Sequence, residues 1–137
     1  MLHQASTIHG IFNLPRMHWA YFVILKHRKC LIICETGNYI SHAFGTSLLR
    51  VLSHVLDKPD MAHWDVMRLG PTAGVPAQLD GKSCGVYSCI LLESVFKGRA
   101  FPQFTHNSLQ EWRAHIAHAI LSRTPSYAPR YPAHYVA

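Results

Sequence analysis

The chain has 137 residues, 49% of them hydrophobic and 15% charged, with four cysteines and a formal charge of +6. That length supports one domain around a single core, and no apolar run approaches the roughly 18 residues of a membrane span. A basic balance suits an acidic partner, but KHRK at 26–29 is the one real cluster and there are only seven acids, so nucleic acid is not expected as the main partner.

The opening stretch, MLHQASTIHGIFNLPR, reads as an irregular lead-in, without the basic start and apolar stretch of a signal peptide. AYFVIL (20–25) and CLIIC (30–34) flank KHRK and predict a β-hairpin, with turn chemistry at Glu35-Thr36-Gly37-Asn38 to end it. Leu48, Leu49, Val51, Leu52, Val55 and Leu56 recur at helical spacing, which predicts a helix over 43–56 stopped by Pro59. Residues 62–69 alternate as a third strand, 70–82 form a Gly/Pro loop, and 84–96 are apolar nearly all round, as in a buried helix. A last amphipathic helix is expected over 107–122, followed by a Pro-rich tail at 124–137 that is expected to be disordered. The predicted order of strand, strand, helix, strand, helix, helix is an α+β domain with a small antiparallel sheet and one central helix. Cys30, Cys34, Cys84 and Cys89 all lie in apolar segments, as free thiols of a reducing compartment do, which implies an intracellular protein of nucleus or cytoplasm.

Facing residues of an antiparallel pair have a constant sum of residue numbers. A sum of 53 pairs His18 with Glu35 and centres the turn inside KHRK, so the polar interruption brings these two together within about two residues of register. A carboxylate beside an imidazole fixes its tautomer and stabilises the imidazolium, which a catalytic base needs. Exposed hairpin ends are the plainer reading of the same residues. Cys84 follows Ser83, a plausible helix N-cap. There the first-turn N–H groups and the helix dipole favour thiolate, Gly81 and Gly85 leave the approach open, and Gln78 lies six residues upstream with an amide for a developing oxyanion. A lone cysteine is more often a small core residue, so spacing alone leaves both roles standing.

Taken together, MHWAYFVI, the acid Glu35 seventeen residues after His18, and VPAQLDGKSCGVYSC resemble the ubiquitin-like-protease family. These are the cysteine proteases that process SUMO- and NEDD8-type modifiers and remove them from proteins, and the adenoviral proteinase is a relative. The resemblance covers about residues 13–98. It implies a papain-like cysteine protease fold of the ubiquitin-like-protease type, N-terminally truncated, with a catalytic domain over residues 1–123. It further implies His18 as general base, Glu35 as orienting acid, Cys84 as nucleophile and Gln78 as oxyanion donor. Trp19 would line the channel over the modifier's C-terminal Gly-Gly, with Gly85 beside it. The implied activity is that of a cysteine-type peptidase and isopeptidase acting on a SUMO-type modifier and its conjugates, with no metal and no cofactor. The chain departs from the family pattern in having Glu where most SUMO-type members have Asp, ICETG in place of an acid–serine continuation, and 17 residues before His18. The last point supports the alternative of an inactive remnant acting as a binding module, derived from a mobile element.

Other pairs are weaker. His63-Trp64 repeats the HW motif, but its neighbouring acid, Asp65, is adjacent rather than at hairpin distance. Cys30 and Cys34 are about 13 Å apart on a strand, too far for one metal ion. His115 and His118 share a helix face without a third ligand, Cys89 reads as core, and Tyr127, Tyr131 and Tyr135 sit in the tail.

Overall fold

The computed structural model describes residues 5–14, 18–37 and 39–122. The expected disordered tail and its tyrosines lie outside these residues. Four strands, β1 (Thr7–Leu14), β2 (His18–Leu25), β3 (Cys30–Cys34) and β4 (Asp65–Leu69), form one sheet in sequential order. Helix α1 (His42–Val55) joins β3 to β4, and α2 (Cys84–Phe96) and α3 (His106–Leu121) follow.

The α+β class is as expected, but the sheet is mixed rather than antiparallel throughout. β1–β2 and β2–β3 are antiparallel, whereas β3 and β4 run parallel. A parallel pair needs a crossover of a dozen or more residues, and the 14-residue α1 supplies it. Nor does one central helix carry the sheet. Ala20, Phe22, Ile24, Leu31 and Ile33 pack with Leu49 and Leu56 from the α1 region. On the opposite face Tyr21, Val23 and Cys34 pack with Leu91 of α2. β2 is therefore buried on both faces, which is why AYFVIL reads as a continuous apolar run instead of alternating. Each of its buried Phe, Val and Ile side chains contributes on the order of 1.5–3 kcal/mol by leaving water.

β1 occupies what the sequence suggested was irregular chain. Its Ile8, Phe12 and Leu14 do alternate toward the α1 face, but Gly10 and His9 blur the pattern. Gly10 is required there: it faces Phe22, and a Cβ would lie 2.5 Å from the phenyl ring. The hairpin between β2 and β3 closes through Lys29 in the left-handed region, at φ 47°. Ser41 caps α1, its Oγ accepting from Phe44 N at 3.2 Å. Thr105 and Ser108 form a reciprocal capping box on α3.

Candidate active site

His18 is the first residue of β2, and Glu35 directly follows β3. The actual register, Tyr21 opposite Cys34, gives a residue sum of 55 rather than 53. Side chains alternate with period 2, so a two-residue shift keeps both groups on one face and makes them diagonal instead of directly opposed. His18 Nε2 stands 3.7 Å from Glu35 Oε2. That nitrogen is buried, with no hydrogen-bond partner among the described residues. Nε2 is thus the ring nitrogen turned to the acid.

Glu35 is only 2% exposed, a costly place for a carboxylate unless it is paired and bonded. The next turn meets that cost. Ile40 N donates to Oε1 and Tyr39 N to Oε2, each at 3.1 Å, while Glu35 N donates to Leu69 O at 3.1 Å and ties the acid to the end of β4. The Tyr39 ring rests 4.6 Å from the imidazole, centroid to centroid. Burial holds the His18 pKa below its usual 6.5, and the Glu35 charge raises it against that trend.

Cys84 opens α2 and is buried. α2 packs on β2, and the two chain starts meet where the Trp19 ring lies over Gly85. A methyl at Gly85 would stand 3.6 Å from Trp19 Cδ1, ordinary contact. Trp19, 43% exposed, stands between the strand bearing His18 and the helix bearing Cys84. Gly81 has open space around it, as expected.

Ser83 takes the N-cap position but makes no side-chain cap bond. Its hydroxyl donates to Asp80 Oδ2 at 2.7 Å, and Asp80 Oδ1 accepts from Lys82 N (2.9 Å) and Ser83 N (2.7 Å). Asp80 thus organises the turn that the sequence attributed to Ser83. Arg113 of α3 donates to Ser83 Oγ and lies 3.7 Å from Asp80 Oδ2. Led by the Ser83 hydroxyl bond, these donors pull the Asp80 pKa down to about 2. An Asp followed by N–H groups two and three residues on is an Asx-turn signature, so this role was legible in DGKS. Arg113, thirty residues downstream, gave no local signal.

Gln78 is held by its own set of bonds. Its backbone N donates to Thr36 O at 3.0 Å, Thr36 Oγ1 donates to Gln78 Oε1 at 3.1 Å, and Gln78 Nε2 donates to Asp80 O. Leu79 N donates to the Tyr87 hydroxyl at 3.2 Å, folding this loop back on α2.

The discounted residues have structural surroundings. Trp64 packs at the edge of the α1-side core and its Nε1 donates to Asp60 Oδ2 at 3.2 Å. His115 meets Trp112 edge-on at 5.4 Å. All four cysteines are free; burial pushes the Cys34 thiol up to about 12, and burial, with Glu93 adding to it, raises Cys89. Among the described residues no three His, Cys, Asp or Glu side chains gather as a metal site, and no helix is long and apolar enough to cross a membrane.

Residues 2–125 match the model of the Ulp1 protease family, C-terminal catalytic domain. The chain belongs to this family. Its fold is similar to that of the C-terminal Ulp1 protease domain in complex with Smt3, the yeast ortholog of SUMO, at 22% identity and a TM-score of 0.68 over 89% of this chain and 55% of that one. It is also similar to the SUMO protease Ulp1 with its catalytic cysteine oxidized to a sulfonic acid (21% identity, TM-score 0.69, 89% and 56% covered). The Ulp1-like SUMO protease catalytic domain of Chaetomium thermophilum shares 23% identity at a TM-score of 0.56, over 79% of this chain and 43% of that one. At these identities the likeness is one of fold, and the chain spans about half the length of these Ulp1 structures. A comparison with curated proteins finds no match.

Proposed function

We propose that this Ulp1-family chain is a thiol protease that cleaves after the C-terminal Gly-Gly of a SUMO-type modifier, from precursors or conjugates. The observation that carries the reading is the buried Glu35 carboxylate turned on the imidazole of His18, at the start of the strand whose Trp19 covers Gly85 beside Cys84. The Smt3 complex of the Ulp1 domain supports the choice of modifier.

In this reading His18 takes the Cys84 proton and the thiolate attacks the carbonyl carbon of the terminal glycine. Glu35 stabilises the imidazolium so formed, at low reorganisation cost, because two backbone N–H groups already hold the carboxylate in place. Gln78 donates to the oxyanion, and the tetrahedral intermediate collapses as His18 returns the proton to the leaving amine. Water, deprotonated by His18, then releases the modifier from the acyl-enzyme and regenerates the thiol. In this reading the exposed ring of Trp19 is the wall along which the side-chain-free Gly-Gly tail lies. The free cysteines support a reducing, intracellular setting.

Labelling with electrophilic probes carrying SUMO, NEDD8 or ubiquitin tails tests this directly. The expected result is an adduct from the SUMO probe, located on Cys84 by mass spectrometry and lost in His18→Ala. A folded chain that forms no adduct at Cys84 with any of the three would overturn the reading.

A further inference from the structure

Thr36 follows the orienting acid and is 6% exposed, and nothing in the catalytic scheme above uses its side chain. It touches Gln78 twice, by its carbonyl oxygen on the backbone N–H and by its hydroxyl on the side-chain Oε1. We propose that Thr36 is the positioning residue of the oxyanion site, fixing and polarising the Gln78 amide so that its NH₂ faces the reaction. This rests on the protease reading above.

The argument is one of donors and acceptors. A primary amide has an acceptor end and a two-proton donor end, and rotating it by half a turn exchanges them. At the Nε2 end stands Asp80 O, a carbonyl that can only accept. With the amide flipped, Oε1 would face that carbonyl, acceptor against acceptor. Asp80 O therefore sets which end is which and uses one of the two amide protons, leaving the second for an oxyanion. The carbonyl contact alone leaves the amide plane free to swing. The Thr36 hydroxyl, bonded to Oε1 from the far side, pins the plane at a second point. A hydroxyl donating to Oε1 also draws density from the amide and strengthens its N–H groups as donors. Because Thr36 O holds the Gln78 backbone N–H and Glu35 is its chain neighbour, one short segment after β3 places both the acid behind the base and the arm over the oxyanion.

A structural role predicts loss of stability, and a positioning role predicts loss of turnover that runs through Gln78. Turnover of a SUMO-type modifier with a C-terminal coumarin amide would be measured for wild type, Thr36→Val, Thr36→Ser, Gln78→Ala and the Thr36→Val/Gln78→Ala pair, with thermal melts on each. Thr36→Val keeps the volume and removes the hydroxyl. It is expected to lower kcat about tenfold at unchanged KM, less than the roughly hundredfold cost of deleting an oxyanion donor itself. Thr36→Ser is expected to restore kcat. In the Gln78→Ala background Thr36→Val should cost nothing further, since the two act as one unit. Additive losses, a Thr36→Ser no better than Thr36→Val, or wild-type kcat in Thr36→Val would each overturn the positioning role while leaving the protease reading intact. A wild-type chain no more active than Cys84→Ala would overturn both. If Thr36→Val does not fold, Thr36→Ser alone decides: kcat well below wild type in a stable Ser variant overturns the proposal.

Discussion

Two carboxylates, Glu35 and Asp80, organise the two halves of this site, and they do it in opposite environments. Glu35 is buried at the end of a strand, anchored by two backbone N–H groups and the edge of β4, and its free face looks at His18. Asp80 sits in a partly exposed loop, wrapped by its own downstream N–H groups and steadied by Arg113 from α3. The sheet-borne acid is held by the core and faces the His18 imidazole, whereas the loop-borne acid shapes the turn that leads into α2. A buried charge must be satisfied by fixed partners, and an exposed one is screened and adjustable. Perturbing the Glu35 half should therefore alter chemistry, and perturbing the Asp80 half should alter stability.

The largest effect is expected at Cys84, the nucleophile of the proposed site. Cys84→Ala should reduce turnover to background with an unchanged melting temperature, and a residual rate equal to wild type would remove the site altogether. Glu35→Gln comes next, with kcat/KM expected to fall about a hundredfold or more, since the amide cannot stabilise the imidazolium. Its pH profile sharpens the contrast. The acid limb reports protonation of His18, which burial places below 6.5 and the Glu35 charge partly raises. Without that charge the limb should move to lower pH, and a shift to higher pH would contradict the pairing.

Smaller effects are expected from the other half. Asp80→Ala should lower stability by about 1 kcal/mol, as the loss of a cap does. Arg113→Ala, whose ion pair is about a third exposed, should cost about 0–1 kcal/mol with turnover nearly unchanged. A tenfold loss of kcat in Arg113→Ala would erase the distinction between the halves. The smallest effect concerns acid stability. Burial depresses the pKa of His9, His18 and His115 in the folded state. Between those lowered values and 6.5 the unfolded chain binds more protons than the folded one, so stability falls as pH is lowered through that window. The urea midpoint should be lower at pH 5.5 than at pH 7.5, and an unchanged midpoint would contradict the assignment.

The residue pattern by itself singled out the groups on which the proposed site rests. Apolar runs fixed β2, β3 and α2, the polar KHRK fixed a hairpin that carries His18 and Glu35 to one end, and QLDGKSCG marked the loop and the thiol, because periodicity and turn chemistry are local properties of the chain. The strand pattern of β1 was hidden by Gly10, whose reason is the Phe22 ring on a neighbouring strand. The register of 55 depended on how four loop residues closed through a left-handed Lys29, and the parallel β3–β4 pair depended on where α1 returned the chain. Only the tertiary structure decided that Arg113 reaches the α2 turn from α3 and that Thr36 clamps Gln78. These are hydrogen bonds whose partners are brought together by packing, over separations as long as 42 residues, and no local spacing encodes them.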